Sequence, residues 1–149
     1  PTRGAGIDQG TFAGSSFPGN DYGWVRTNGS WVSRPWVNNY SGGNVVVAGS
    51  QDAAIGSSVC RSGRTSSWTC GTLQGRNETV NYSVGPVYGL SRMSACANPG
   101  DSGGSVISGN QAQGVTSGIS GGCGSARPQT WFQPVNEILQ AYNLRLLTS

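Results

Sequence analysis

Gly100-Asp101-Ser102-Gly103-Gly104 sets a serine hydroxyl directly after an acid and among glycines. Glycine lets backbone N–H groups turn towards a bound carbonyl with no Cβ in the way, so the pentapeptide suits a nucleophile beside an oxyanion hole. A serine hydroxyl is a weak nucleophile at its free pKa and needs a neighbouring proton acceptor. The usual acceptor is histidine, and the 149 residues contain none. Lysine is also absent, which removes a Ser-Lys arrangement. An attacking group is present without its base. The plain alternative is a glycine-rich turn with an Asx cap. The chain's own residue frequencies give about a 0.3% chance of the pentapeptide arising by accident.

The elements that must hold such a serine are legible in composition. Glycine supplies 25 residues, hydrophobic types 35% and charged types 10%. A chain rich in Ser, Thr, Val, Gly and Asn favours strands and turns over helices. Disorder is excluded, since it needs high net charge with few aromatics. All nine basic residues are arginine, net charge is only +3, and no arginine run occurs. Nucleic-acid binders concentrate charge on one stripe, so no nucleic-acid partner is expected. No apolar run approaches the roughly 18 residues a membrane span requires, so no membrane partner is expected either. Pro1-Thr2-Arg3-Gly4 lacks a basic-then-apolar leader pattern, and the expectation is a processed chain or one that begins partway through a longer one.

The cysteines are Cys60, Cys70, Cys96 and Cys123. No histidine completes a mixed zinc site and no Cys-x-x-Cys pair occurs, so neither a metal nor an organic cofactor is implied. An even count in a glycine-rich β-chain points to two disulfides and an oxidising, secreted location. Four cysteines allow three connectivities. Turn chemistry at Ser62-Gly63 makes a Cys60–Cys70 hairpin bridge the economical one, leaving Cys96 to pair with Cys123 across Ser102.

Short apolar stretches bounded by Gly, Asn and Ser predict strands near 10–12, 22–26, 44–48, 58–61, 69–76, 79–82, 84–90, 104–108, 111–117 and 130–133. Gly109-Asn110 predicts a tight hairpin with positive φ tolerated at both positions. One helix is expected, where Val135, Ile138, Leu139 and Tyr142 fall at i, i+3, i+4 and i+7 behind Pro134 in the first turn. Trp24, Trp31, Trp36, Trp68 and Trp131 raise a second class of function, a secreted module that stacks on carbohydrate. Most of them are expected to fill barrel interiors or flank a linker near Arg34-Pro35 instead.

The segments Phe17-Pro18-Gly19-Asn20-Asp21, Cys60-Arg61-Ser62-Gly63, Cys96-Ala97-Asn98-Pro99-Gly100-Asp101-Ser102-Gly103-Gly104 and Gln111-Ala112-Gln113-Gly114-Val115-Thr116-Ser117-Gly118 resemble the bacterial chymotrypsin-like serine proteases, the α-lytic protease and streptogrisin group. The resemblance runs from about Gly10 to the final helix. It implies an all-β fold of two Greek-key β-barrels with a cleft between them and a C-terminal helix. Residues 1–34 would be the remainder of the first barrel, and residues 35–149 the linker, second barrel and helix. Secretion and a folding pro-region are implied as well.

Residue by residue, the resemblance makes Ser102 the nucleophile and the N–H groups of Gly100 and Ser102 the oxyanion hole. Asp21 matches the aspartate that stabilises the imidazolium, although local sequence alone favours an Asx-turn residue. Asp101 would pair with Arg61 and brace the oxyanion loop, where the alternative for Arg61 is an exposed hairpin charge. An extended strand at Ser117-Gly118-Ile119 would receive a peptide or protein substrate by backbone hydrogen bonds. Ala97, Asn98, Pro99, Thr116, Ser117, Gly118 and Ile119 would line the specificity pocket. None is charged, which implies an apolar residue before the scissile bond. Ile119 stands where relatives commonly have glycine and would narrow the pocket, whereas the small Ala97 and Thr116 would widen it.

The order His, Asp, Ser in this family places the histidine ahead of Asp21. Three expectations follow: the C-terminal piece of a nicked or incomplete protease that needs its N-terminal segment, a separately encoded fragment that needs a partner, or a pseudoenzyme. In each, the chain by itself should be inactive.

Overall fold

The computed structural model describes residues 2–4 and 7–149. Eleven strands and one helix follow in order: β1 (Thr2–Gly4), β2 (Ile7–Ser16), β3 (Tyr22–Thr27), β4 (Trp36–Asn38), β5 (Asn44–Val46), β6 (Ser58–Gly63), β7 (Ser67–Tyr82), β8 (Gly85–Met93), β9 (Ser105–Ser108), β10 (Gln111–Ser120), β11 (Gln129–Pro134) and α1 (Val135–Ala141). β1, β2 and β3 form an antiparallel sheet, β4 and β5 a ribbon, and six strands close into a barrel in the order β10-β11-β8-β7-β6-β9. The all-β class with a terminal helix is therefore observed.

The barrel closes around Val59, Leu73, Met93, Ala95, Val106 and Phe132, which come from almost every stave and are at most 1% exposed. The side-chain period of two turns one apolar row of each stave inward. Gln113 of β10 is also buried, and its amide is fully used. It accepts from the Ala53 N–H at 3.0 Å and donates to the carbonyls of Gln51 and Gln111. The segment preceding β6 is thereby tied to the barrel wall. The three-stranded sheet differs, since no described side chain of β2 or β3 is buried and Phe12 is 64% exposed.

Four expectations need correction. The stretches 69–76 and 79–82 are one 16-residue strand, because register shifts and a left-handed Asn77 (φ 54°) absorb the apparent break. Asparagine tolerates that conformation, and bulges let a long strand bend round a barrel without ending. At the 109–110 hairpin only Gly109 takes positive φ, at 58°. Pro134 is not in the first turn of the helix; it ends β11 and caps α1 in extended geometry (φ −61°, ψ 136°). The tryptophans do not fill the barrel: Trp36 is 52% exposed and the other four are half-buried. Aliphatic residues, Met93 and Phe132 occupy that volume instead.

Phe132 is 1% exposed at the centre of the barrel core, so Phe132→Ala leaves a cavity that strands paired on both sides cannot collapse to fill. The expected loss is about 3–5 kcal/mol of unfolding free energy, read from the midpoint of a urea titration at unchanged slope.

Candidate functional site

Ser102 stands on the loop between Cys96 and β9, and both ends of that loop are tied down. Cys96 is bonded to Cys123, and Cys60 to Cys70 across the β6–β7 hairpin. Within the loop the Asp101 N–H donates to the Asn98 carbonyl at 3.0 Å and the Gly104 N–H to the Asp101 carbonyl at 3.1 Å. β10 adds a reciprocal pair, Gly103 N–H to the Thr116 carbonyl at 2.8 Å and Thr116 N–H to the Gly104 carbonyl at 2.9 Å. Among the described residues, no hydrogen bond uses the N–H of Gly100 or of Ser102. Ser102 itself is exposed.

Gly100 adopts φ 100°, a region closed to ordinary L-residues, and a Cβ there would meet the Thr65 hydroxyl. Two independent reasons therefore require glycine at that position.

Beneath the loop lies a buried ion pair. The Arg61 Nη2 is 3.1 Å from Asp101 Oδ1, and both side chains are fully inaccessible. Arg61 Nη1 also donates to Thr69 Oγ1 at 2.9 Å and to the Cys96 carbonyl at 3.0 Å. Among the described residues Nη2 and Nε form no aligned hydrogen bond, so the Nη2 contact with Asp101 is a charge contact. Asp101 is better served: Thr65 and Ser66 N–H groups donate to Oδ1 at 2.9 and 3.0 Å, and Asn98 N–H donates to Oδ2 at 2.8 Å. Burial alone would raise the Asp101 pKa. The N–H groups of Asn98, Ser66 and Thr65 outweigh it and bring the value down to about 2. Burial pulls the Arg61 guanidinium below its ordinary value, against the opposing pull of Asp101. Gly63 has no side chain because a Cβ would enter the space of the pair itself.

Asp21 faces Ser102 across a cleft of about 300 Å3 that Tyr22, Gly23, Gly103, Val115 and Thr116 also line. Its approach is set by the barrel. Gly19 N–H donates to the Pro86 carbonyl and Tyr88 N–H to the Gly19 carbonyl, both at 2.8 Å, so the segment before Asp21 lies along β8. The Asp21 N–H donates to Gln133 Oε1 of β11 at 2.9 Å. Its carboxylate accepts the Ser117 hydroxyl of β10 at 2.5 Å. That hydroxyl accepts in turn from Tyr82, 2.8 Å away, because its own proton is directed at Asp21. Burial pushes the Tyr82 phenol up, and the Asp21 charge adds to the shift.

The expected pocket residues are only partly gathered here. Thr116 lines the cleft, and its buried hydroxyl has no partner among the described residues. Ala97 is buried and Pro99 exposed. Asn98 turns its Oδ1 to the Cys123 N–H at 2.9 Å, so its side chain braces the disulfide loop. Ser117 directs its side chain at Asp21, while Ile119 stays at the surface, 37% exposed. β10 pairs with β9 only as far as Val115, whereas its pairing with β11 continues to Ser120. Beyond Thr116 one edge of β10 is free of strand partners among the described residues. Sequence reasoning missed Gln133 and Tyr82, which lie 112 and 61 positions from Asp21 and carry no local motif.

A family model described as Trypsin matches residues 7–141. Streptogrisin-C of Streptomyces griseus is 59% identical over 141 residues, covering 95% of this chain and 31% of that protein. Serine protease 1 of Rarobacter faecitabidus is 42% identical over 142 residues, covering 94% of this chain and 27% of the other. Among solved structures, the chymotrypsin of Cellulomonas bogoriensis superposes with a TM-score of 0.91 at 60% identity, covering 94% of this chain and 76% of that one. Protease A of Thermobifida fusca gives 0.91 at 56% identity, covering 94% and 75%. The chain spans about a third of the length of these curated relatives.

The depressed pKa of Asp101 fixes a pH dependence. A carboxyl held at about 2 in the fold and near 3.8 when unfolded stabilises the protein above the higher value, and loses that contribution as pH falls through the lower one. The difference in unfolding free energy between the parent and Asp101→Asn should therefore shrink by about 2 kcal/mol from pH 5 to pH 2. Denaturant titrations at both pH values measure it. At neutral pH the variant should be about 3–5 kcal/mol less stable, since Arg61 is left buried and unpaired.

Proposed function

Because this chain belongs to the trypsin family of serine proteases, we propose that it is the nucleophile-bearing part of a secreted endopeptidase that cleaves after apolar residues. The carrying observation is the cleft itself, where an exposed Ser102 faces Asp21 and two adjoining N–H groups have no partner among the described residues. Ser102 Oγ attacks the peptide carbonyl, and the N–H groups of Gly100 and Ser102 stabilise the oxyanion. An imidazole takes the serine proton, then delivers it to the leaving amine, and the Asp21 carboxylate stabilises the imidazolium. Water then hydrolyses the acyl-enzyme by the same route in reverse roles.

The imidazole must come from polypeptide outside these 149 residues, which hold no histidine. The sheet β1-β2-β3 offers the place for it, with no buried side chain in β2 or β3 among the described residues and Phe12 exposed. Residues 1–34 then belong to the first barrel, and residues 35–149 supply the linker, second barrel and helix. Non-local barrel strands pair slowly, which suits folding assisted by a pro-region. Two disulfides suit an extracellular site. The free edge of β10 at Ser117-Gly118-Ile119 receives the substrate as an added strand. Uncharged Ala97, Thr116 and Ile119 make the selectivity apolar.

Two measurements test the assignment. A fluorophosphonate should label Ser102 when the histidine-bearing polypeptide is supplied, and Ser102→Ala should abolish labelling and lower kcat by about 10^6-fold. Saturable glycan binding with no labelling would instead support a non-catalytic module. Ile119→Gly should shift preference from alanyl towards phenylalanyl substrates, read as the ratio of kcat/KM values.

A further inference from the structure

Asp21 is held by a residue with no place in the scheme above. Gln133, the penultimate residue of β11, is fully buried, and its Oε1 accepts the Asp21 N–H at 2.9 Å. The other end of the same amide, Nε2, donates to Glu137 Oε2 in the first turn of α1. An amide presents an acceptor on one side and a donor on the other. The Glu137 carboxylate can only accept, so it selects the rotamer in which Nε2 faces the helix and Oε1 faces Asp21. The opposite rotamer would set Nε2 against the Asp21 N–H, donor to donor, on a side chain that is itself fully buried.

We propose that Gln133 is a positioning residue for Asp21, with its amide locked by Glu137 in the only sense that can receive the Asp21 N–H. This deepens the peptidase reading and rests on it. The carboxylate of Asp21 already has Ser117, so Gln133 acts on the backbone from which that carboxylate projects. The same helix grips the neighbouring residue from its other end. Tyr142, the C-cap, packs edge-on against Tyr22 with ring centroids 5.5 Å apart, and against Trp24 at 5.9 Å. Two consecutive residues, Asp21 and Tyr22, are thus held from the two ends of α1. Small displacements of a catalytic group cost rate far more than binding, because the transition state alone needs the aligned geometry.

The test uses the protease with its histidine-bearing polypeptide in place and a chromogenic peptide substrate. Gln133→Met keeps the volume and removes the acceptor; kcat should fall about ten- to a hundredfold with KM within about twofold. Glu137 is exposed, so its variants should fold. Glu137→Lys replaces an acceptor with a donor and should lower kcat about three- to tenfold, whereas Glu137→Gln retains an acceptor and should stay within about twofold of the parent. This contrast stands even if Gln133→Met does not fold. An unchanged kcat in Gln133→Met, or a Glu137→Lys indistinguishable from Glu137→Gln, overturns the positioning role while fluorophosphonate labelling of the parent still upholds the peptidase. Absence of labelling in the parent overturns both.

Discussion

A buried arginine and a buried aspartate hold the Ser102 loop in shape. Arg61 and Asp101 have been taken wholly out of water, a cost that only close contact and dense hydrogen bonding offset. Asp101 meets that condition through three backbone N–H groups, that of Asn98 in its own loop and those of Thr65 and Ser66 in the β6–β7 turn. Arg61 meets it by bonding the carbonyl of Cys96, the residue at which the loop begins. One interaction therefore joins the β6–β7 hairpin to the Cys96 disulfide and to the residue before Ser102. The loop need not be rigid by composition, which would be hard to achieve with Gly100 and Gly103 both at positive φ.

The same economy operates on the other side of the cleft. Asp21 reaches its position through contacts with β8, β10 and β11, all staves of the closed barrel. The chain segment that carries it is otherwise part of a sheet with no buried face among the described residues. Polar contacts, rather than an apolar seam, decide where the carboxylate stands.

Sequence exposed these parts unevenly. The Ser102 loop was legible because its glycines, acid and serine are contiguous and each has a local reason to be there. The disulfides were legible from one short turn and a count of four. Strand existence followed from apolar runs, but β7 was split in two, since a bulged strand and a broken one look alike without knowledge of the partner. The short β1 and β4 were passed over, too brief for any periodicity to register. Gln133 and Tyr82 were invisible for a different reason. A glutamine in a strand announces nothing until the fold brings it within reach of an aspartate 112 positions away. Asn98 has a second part that sequence did not show, since the resemblance set it on a pocket wall and its side chain also fastens the loop to Cys123.

The anchoring of Asp21 to the barrel has one more consequence. On the proposed mechanism, an incoming imidazole would find its acceptor already aimed, much as a latch finds a fixed keeper. Assembly would then need accuracy in one component only, because the receiving half is set by contacts that do not involve the newcomer.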